Sequence, residues 1–246
     1  MSAPPMTQLP SSTSRSSRAA PADKEGESLG SFVWFCVKLL IVVLVFRSFV
    51  FTSFNIPSQS MMPRLEVGDY LFAAKWPYGY SRFSLPFDAP LIPDRILPRQ
   101  PERGDVVIFK HPVDHSDYIK RVIGLPGDRV QLVGGVVHLN GEPVGYERVE
   151  DFVLPIAPDG RCTQARFTQR QADGSFACVY PQFRETLPGG RTYRVLDLDM
   201  RGSDNTAPVT VPADRMFLMG DNRDNSLDSR FPDEAGRGIG LVPQEN

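Results

Sequence analysis

Two stretches of this chain hold residue types whose spacing could support catalysis: Ser58-Gln59-Ser60-Met61-Met62-Pro63, and a lysine set in an apolar run, Tyr118-Ile119-Lys120-Arg121-Val122. If residues 118 to 122 are extended, Lys120 shares a face with Tyr118 and Val122 while Arg121 points the other way. A lysine so placed either snorkels at a strand edge or is desolvated. In water, with a pKa of about 10.4, it is neutral only about once in 2,500 molecules at pH 7. Lowering that pKa by about three units takes roughly 4 kcal/mol of differential destabilisation, which burial can supply. The neutral amine could then take a proton from a serine hydroxyl. Serine and lysine are common, so the residues alone leave this pairing open.

Other chemistries find less support. His111 and His115 lie in a polar turn and His138 on a hairpin strand with no acidic neighbour in sequence, so a Ser-His-Asp site would have to assemble from scattered parts. No Cys or His cluster has zinc spacing. The acid-rich segment from Asp221 to Asp228 puts Arg223 where a calcium loop needs a ligand oxygen. Arg103-Gly104-Asp105 reads as a turn entering a strand, and no phosphate-binding glycine loop is present. The expectation is therefore no metal and no organic cofactor.

The elements that must position Ser60 and Lys120 come from a chain of 246 residues with 27 basic and 29 acidic side chains, a balance that argues against a nucleic-acid partner. The 23 prolines, near twice the usual share of about 5%, favour turn-rich β architecture over helix bundles. Residues 1–30 hold seven Ser, four Pro and four Ala with no aromatic residue, and are expected to be a disordered tail. The segment 31–51, Ser31 through Phe51, is apolar all round apart from Lys38 and Arg47. As a helix it spans roughly 30 Å, enough for a bilayer core. Arg47 can snorkel, whereas Lys38 must climb about two turns or find a partner. Three cations precede the span within 20 residues and one follows it, which predicts a cytoplasmic amino terminus. Residues 52–246 would then lie on the outer side.

That outer portion reads as short strands cut by turns. Asp105 to Phe109 and Tyr118 to Ile123 are strand-like, Gly124-Leu125-Pro126-Gly127-Asp128 is a turn, and Asn140-Gly141 has the sequence of a type I′ hairpin. Residues 78–103 are proline-rich and read as an irregular excursion. Cys36 falls in the span; Cys162 and Cys178 lie outside, 16 positions apart. An oxidising compartment would permit a bridge between them, stabilising by about 3 kcal/mol through loop entropy. The alternative is two free thiols, one of them buried.

Beyond these readings, four stretches in order resemble the signature boxes of bacterial type I signal peptidases. They are Ser58 to Pro63 with Leu65, Gly68 and Asp69; Arg103 to Val107; Asp117 to Asp128; and Gly220 to Arg230. The order and the preceding anchor match as well. The resemblance implies a mainly β fold, a membrane-anchored catalytic domain preceded by one transmembrane helix, and a serine endopeptidase that removes signal peptides from exported pre-proteins. By motif, Ser60 resembles the nucleophile and Lys120 the general base. Ser58 and the Ser60 N–H resemble an oxyanion hole, Ser226 the residue orienting the lysine, and Asp228 with Arg230 a supporting ion pair. Phe54, Ile56, Pro57, Met61, Leu65, Tyr118 and Ile119 are implied to line shallow pockets that take small side chains at P1 and P3. The implied partners are signal-peptide-bearing pre-proteins and the lipid bilayer, at the inner membrane with the catalytic domain facing the periplasm.

Two departures from the family pattern stand out. After Gly240-Leu241-Val242-Pro243 only Gln244-Glu245-Asn246 follow, where the family usually continues through another strand, so a shortened variant or truncated chain with an exposed sheet edge is one expectation. The single anchor differs from members that carry two. Rival readings are a specialised Ser/Lys processing peptidase of a secretion or conjugation system, and a non-catalytic periplasmic binding or assembly module, which would not need Ser60 or Lys120.

Overall fold

The apolar run folds as one helix, α1, Leu29–Phe49, in a computed structural model that describes residues 29–85, 89–93, 95–156 and 160–245. Its 21 residues have a mean hydropathy of 2.5 and none of that stretch is covered by other parts of the chain, as suits a helix surrounded by lipid. The helix starts and ends two residues before the expected 31–51. Val50 N–H donates to Phe46 O to close the last turn, and Phe51 is then drawn into a strand by pairing with Ala74. Long-range pairing overrides helical hydropathy at that boundary. Lys38 finds its partner one turn back, with its ammonium 5.1 Å from the centre of the Trp34 ring. Of the expected disordered tail, residues 1–28 lie outside the described residues.

The chain divides into two compact units, Met1–Val42 and Val43–Asn246, so the division falls inside the helix rather than at residue 52. The larger unit is mainly β. Its strands run in chain order as β1 (Phe51–Asn55), β2 (Tyr70–Ala74), β3 (Val106–Lys110), β4 (Asp117–Gly124), β5 (Arg129–Val133) and β6 (Val136–Leu139). They continue as β7 (Glu142–Pro143), β8 (Gly145–Arg148), β9 (Phe152–Pro155), β10 (Thr168–Arg170) and β11 (Phe176–Tyr180). The last are β12 (Gln182–Thr186), β13 (Thr192–Leu196), β14 (Val209–Thr210), β15 (Arg215–Met219) and β16 (Val242–Pro243). All the sheets are antiparallel within themselves: β1-β2, β10-β11-β9, β13-β12-β8, β14-β5-β6-β7 and β16-β15-β4-β3.

Strand β4 holds the lysine in the interior of its sheet. Tyr118, Lys120 and Val122 lie on one face, level with Phe109 and Val107 of β3, and that face joins a core of Val107, Phe109, Val122, Met216, Leu218 and Ile239. Ile123 joins a second core on the other face, with Leu132, Val195, Phe217 and Met219. Both faces of β4 are thus covered, which is what an unbroken apolar run demands. Each fully buried aliphatic side chain there stabilises by about 1.5–3 kcal/mol.

Local turns follow the residues that need them. Asn140 and Gly141 take positive φ (55° and 94°) between β6 and β7, as a type I′ hairpin requires. Gly127, at φ 86°, sits third in a turn closed by Asp128 N–H donating to Leu125 O. The excursion 78–103 contains one antiparallel bridge, Tyr80 with Ile96, and a single helical turn, Arg82–Ser84; residues 86–88 and 94 lie outside the described residues. Strand β16 pairs Val242 and Pro243 with Met216 and Arg215 on the side of β15 away from β4. Cys162 and Cys178 are joined by a disulfide with their Cα atoms 5.5 Å apart, in a core with Met62, Tyr180 and Leu196. Met62 brings that cross-linked core against the segment that carries Ser60.

Candidate active site

Ser60 sits in a one-turn helix, Gln59–Met61, with Ser58 as its first flanking residue. Three side chains fix this turn from outside it. Thr163 Oγ1 and Asn225 Nδ2 both donate to Gln59 Oε1, and Asn222 Nδ2 donates to the Gln59 carbonyl. The Asn222 N–H donates to Ser60 O at 3.0 Å. Ser60 is 6% exposed, yet its hydroxyl is well supplied, with Ser58 Oγ at 3.2 Å and Lys120 Nζ at 2.8 Å. Ser58 makes no capping bond to the turn, so its hydroxyl stays available beside Ser60.

Lys120 is 3% exposed and reaches Ser60 from β4, with a second bond to the Ile119 carbonyl at 3.1 Å. Its pKa falls from the ordinary 10.5 to about 8. Burial drives it down; Asp228 and Asp221 pull it partly back, and Arg230 opposes them. The structure therefore joins the serine and the lysine that lie 60 positions apart, and it lowers the lysine's proton affinity in the direction a base at neutral pH requires.

The segment from Gly220 to Arg230 is the third part of the site. Asp228 and Arg230 form a fully buried pair at 2.9 Å, and Asp228 Oδ2 also accepts the Gly220 N–H. Burial pushes the Asp228 carboxyl up, but Arg230, Gly220 and, last, the Ser226 hydroxyl hold it below the usual carboxylate range. Ser226 is buried against Gly220, and no hydrogen bond links it to Lys120 among the described residues. The orienting role the resemblance implied for it therefore has no direct contact behind it here.

Several residues matter to this geometry beyond those the sequence singled out. Arg121, on the face of β4 opposite Lys120, grips Asp221 through two bonds (2.7 and 2.5 Å), donates to Gly104 O and stacks on Tyr193. Arg223 pairs with the buried Glu185, which also accepts the Tyr193 hydroxyl, and Arg223 Nε returns to Gly220 O. Buried ion pairs of this kind contribute little net stability, but losing one partner strands a charge at about 3–5 kcal/mol. Their effect here is to hold Gly220 to Asn222 against the Ser60 turn. Repeated charges in the Asp221-to-Arg230 segment were the visible signal; their partners on β4 and β12 were not.

The expected pocket residues divide. Phe54, Leu65 and Ile119 line a cavity of about 670 Å³ between β1-β2 and β3-β4, together with Phe72 and Ile108. Ile56 and Met61 are instead buried, 2% and 0% exposed, and neither lines that cavity. Pro57 is exposed, and Tyr118 packs on His111 with ring centres 5.0 Å apart. His111 itself is buried and satisfied, with Nε2 at 2.9 Å from Gly238 O. Among the described residues, no group of three or more His, Cys, Asp or Glu side chains could hold a metal ion.

The electrostatics give a pH prediction with a defined sign. Activity that needs neutral Lys120 rises as pH climbs through about 8, giving kcat/KM an acid limb there. Asp228 stabilises the ammonium, so Asp228→Asn lowers the lysine pKa further, and the Arg230 left unmatched pushes the same way. The limb should move to lower pH in a kcat/KM profile of that variant. A limb that stays in place or moves up contradicts the assignment of its pKa to Lys120.

Comparison with known proteins follows from this geometry. Residues 29–246 match the family described as signal peptidase, peptidase S26. Signal peptidase I of Rickettsia akari (strain Hartford) is 38% identical over 225 residues, covering 87% of this chain and 74% of its own length. That of Rickettsia prowazekii (strain Madrid E) is 36% identical over 230 residues, covering 89% and 76%. A crystal structure of a signal peptidase I from Enterococcus faecalis V583 overlaps at 22% identity with a TM-score of 0.29, covering 59% of this chain and 92% of that one.

Proposed function

We propose that this chain, which belongs to the signal peptidase family (peptidase S26) and is a membrane-anchored signal peptidase I enzyme, cuts exported pre-proteins with Ser60 as nucleophile and Lys120 as general base. The observation that carries this is the 2.8 Å contact between Lys120 Nζ and Ser60 Oγ, made by a lysine whose pKa burial has lowered to about 8. Ser60 Oγ attacks the scissile carbonyl carbon while neutral Lys120 takes its proton. The oxyanion that forms is met by the Ser58 hydroxyl and by the Ser60 N–H, which lies in a first helical turn and so has no intrahelical acceptor. Losing one such donor typically costs about 3–4 kcal/mol of barrier lowering. The ammonium then protonates the leaving amine as the C–N bond breaks. Lys120 next deprotonates a water that attacks the acyl-enzyme, and Ser60 departs with the proton.

The extended substrate lies against β1 and the start of β4, where Phe54, Leu65 and Ile119 leave room for small side chains at P1 and P3 and strand edges supply backbone pairing. The helix α1 anchors the enzyme in the inner membrane with its amino terminus cytoplasmic. A signal peptide's apolar stretch occupies the same bilayer, so its cleavage site emerges close to this site. The purified full chain in detergent should cut a pre-protein after an Ala-x-Ala sequence, with the bond identified by mass spectrometry of both products. Replacing the substrate's P1 alanine by phenylalanine should lower kcat/KM by at least about 100-fold, the cost of a side chain that does not fit. Cleavage elsewhere, or indifference to P1, would overturn the specificity.

A further inference from the structure

A second concavity, about 450 Å³, lies beside the β13-β12-β8 sheet, and arginine dominates it. Arg184 of β12 and Arg194 of β13 are direct cross-strand partners and so project from the same face. Like charges set opposite each other destabilise a sheet. Arg64, four residues past the nucleophile, reaches the same space from another segment, and no acidic residue lines it. Glu147 on β8 is an exposed partner of Arg184 at 3.3 Å. It leaves the cluster with a surplus of two positive charges. Arg121 also borders the cavity but is already held by Asp221 and Gly104.

A buried amide adjoins the arginines. Gln182 is 2% exposed and gives its carbonyl Oε1 to Arg194 Nη1 at 2.9 Å. That bond fixes the amide orientation, and Gln182 lines the concavity with Nε2 as its remaining donor. Three guanidinium groups and an amide N–H therefore surround one concavity as donors. A planar carboxylate offers two oxygens; a tetrahedral dianion offers enough for all of them.

We propose that this concavity is a phosphate-binding site, held by Arg64, Arg184, Arg194 and Gln182, for either free phosphate or the phosphate of an anionic lipid headgroup. It is separate from the Ser60–Lys120 pair and does not depend on the peptidase reading. The test uses the full chain in neutral detergent and in nanodiscs. Inorganic phosphate should broaden in ³¹P NMR on adding wild-type protein, and the double variant Arg64→Gln, Arg194→Gln should bind at least tenfold more weakly, as expected from losing charge-assisted hydrogen bonds. Relief of the Arg184–Arg194 repulsion offsets the lost Arg194 bond to Gln182 Oε1, so the variant's melting temperature should change little. If nanodiscs containing phosphatidylglycerol displace the phosphate and phosphatidylcholine discs do not, the headgroup is the source; if neither displaces it, free phosphate is. Equal binding by wild type and variant, or binding of an acidic peptide with no response to phosphate or phosphatidylglycerol, overturns the proposal.

Discussion

Replacing Lys120 by Met is expected to reduce kcat by at least about 10⁴-fold and to leave the protein as stable as before, or more so. The two halves of that result have one cause. Lys120 is almost wholly buried among Val107, Tyr118 and Val122, and its pKa has dropped from 10.5 to about 8. Below pH 8 the folded protein must carry an ammonium in apolar surroundings, whereas the unfolded chain carries it in water. The unfolded state thus binds the proton more tightly between about pH 8 and 10.5, so stability rises with pH across that window and the full penalty is felt below it. At roughly 1.4 kcal/mol per unit the penalty is about 3.5 kcal/mol, and methionine of similar volume escapes it. Activity goes the other way, because among the described residues the only other side chain bonded to the Ser60 hydroxyl is Ser58, a far weaker base. Lys120→Arg should not rescue, since a guanidinium does not give up its proton. Ser60→Ala should cost as much as Lys120→Met, and the double variant no more than either, because the pair works as a unit. Melting temperature and pre-protein cleavage measured on the same samples decide it. Retained cleavage by Lys120→Met, or a lost fold, would sink the assignment.

How far the sequence carried this reading depended on range. Features set by neighbours in the chain were legible: the apolar helix, the Asn140-Gly141 hairpin, and a lysine on one strand face with Tyr118 and Val122, though not whether that face was an edge or a core. What two distant segments decide together was not. The helix stops at Phe49 rather than Phe51 because Phe51 pairs with Ala74, a residue with no mark of its own in the sequence. Arg121 pointed away from Lys120 as expected, but its partner Asp221 is 100 positions on, and Arg223 finds Glu185 38 positions back. Ile56 and Met61 were implied as pocket residues by the family resemblance; both are buried and outside the cavity lining. Hydrophobic type says that a side chain will be covered, and only the fold says by what.

Gly220→Ala should damage the site with a single methyl group. A Cβ built at Gly220 falls 2.5 Å from the Ser60 carbonyl oxygen and 2.3 and 2.5 Å from Ser226 Oγ and Cβ. The obstacle at Ser60 is backbone, which cannot swing aside as the end of a long side chain would. Gly220 cannot retreat either. Its N–H is bonded to Asp228, its carbonyl to Arg223 Nε, and both partners are locked in buried ion pairs. The strain must therefore move the Ser60 turn, whose carbonyl is bonded to Asn222 two residues along. A shift of about 1 Å in a nucleophile costs on the order of 100-fold in rate, and overpacking costs about 1–3 kcal/mol of stability. Both losses should appear in Gly220→Ala, measured as kcat on a pre-protein and as melting temperature. Gly202→Ala is the matched control, because a Cβ there meets nothing within 4 Å and its φ is ordinary. Wild-type rate and stability in Gly220→Ala would mean that the Ser60 turn and the Gly220 segment are not in the contact described, and the explanation of how Asp228 and Ser60 are held in register would fall with it.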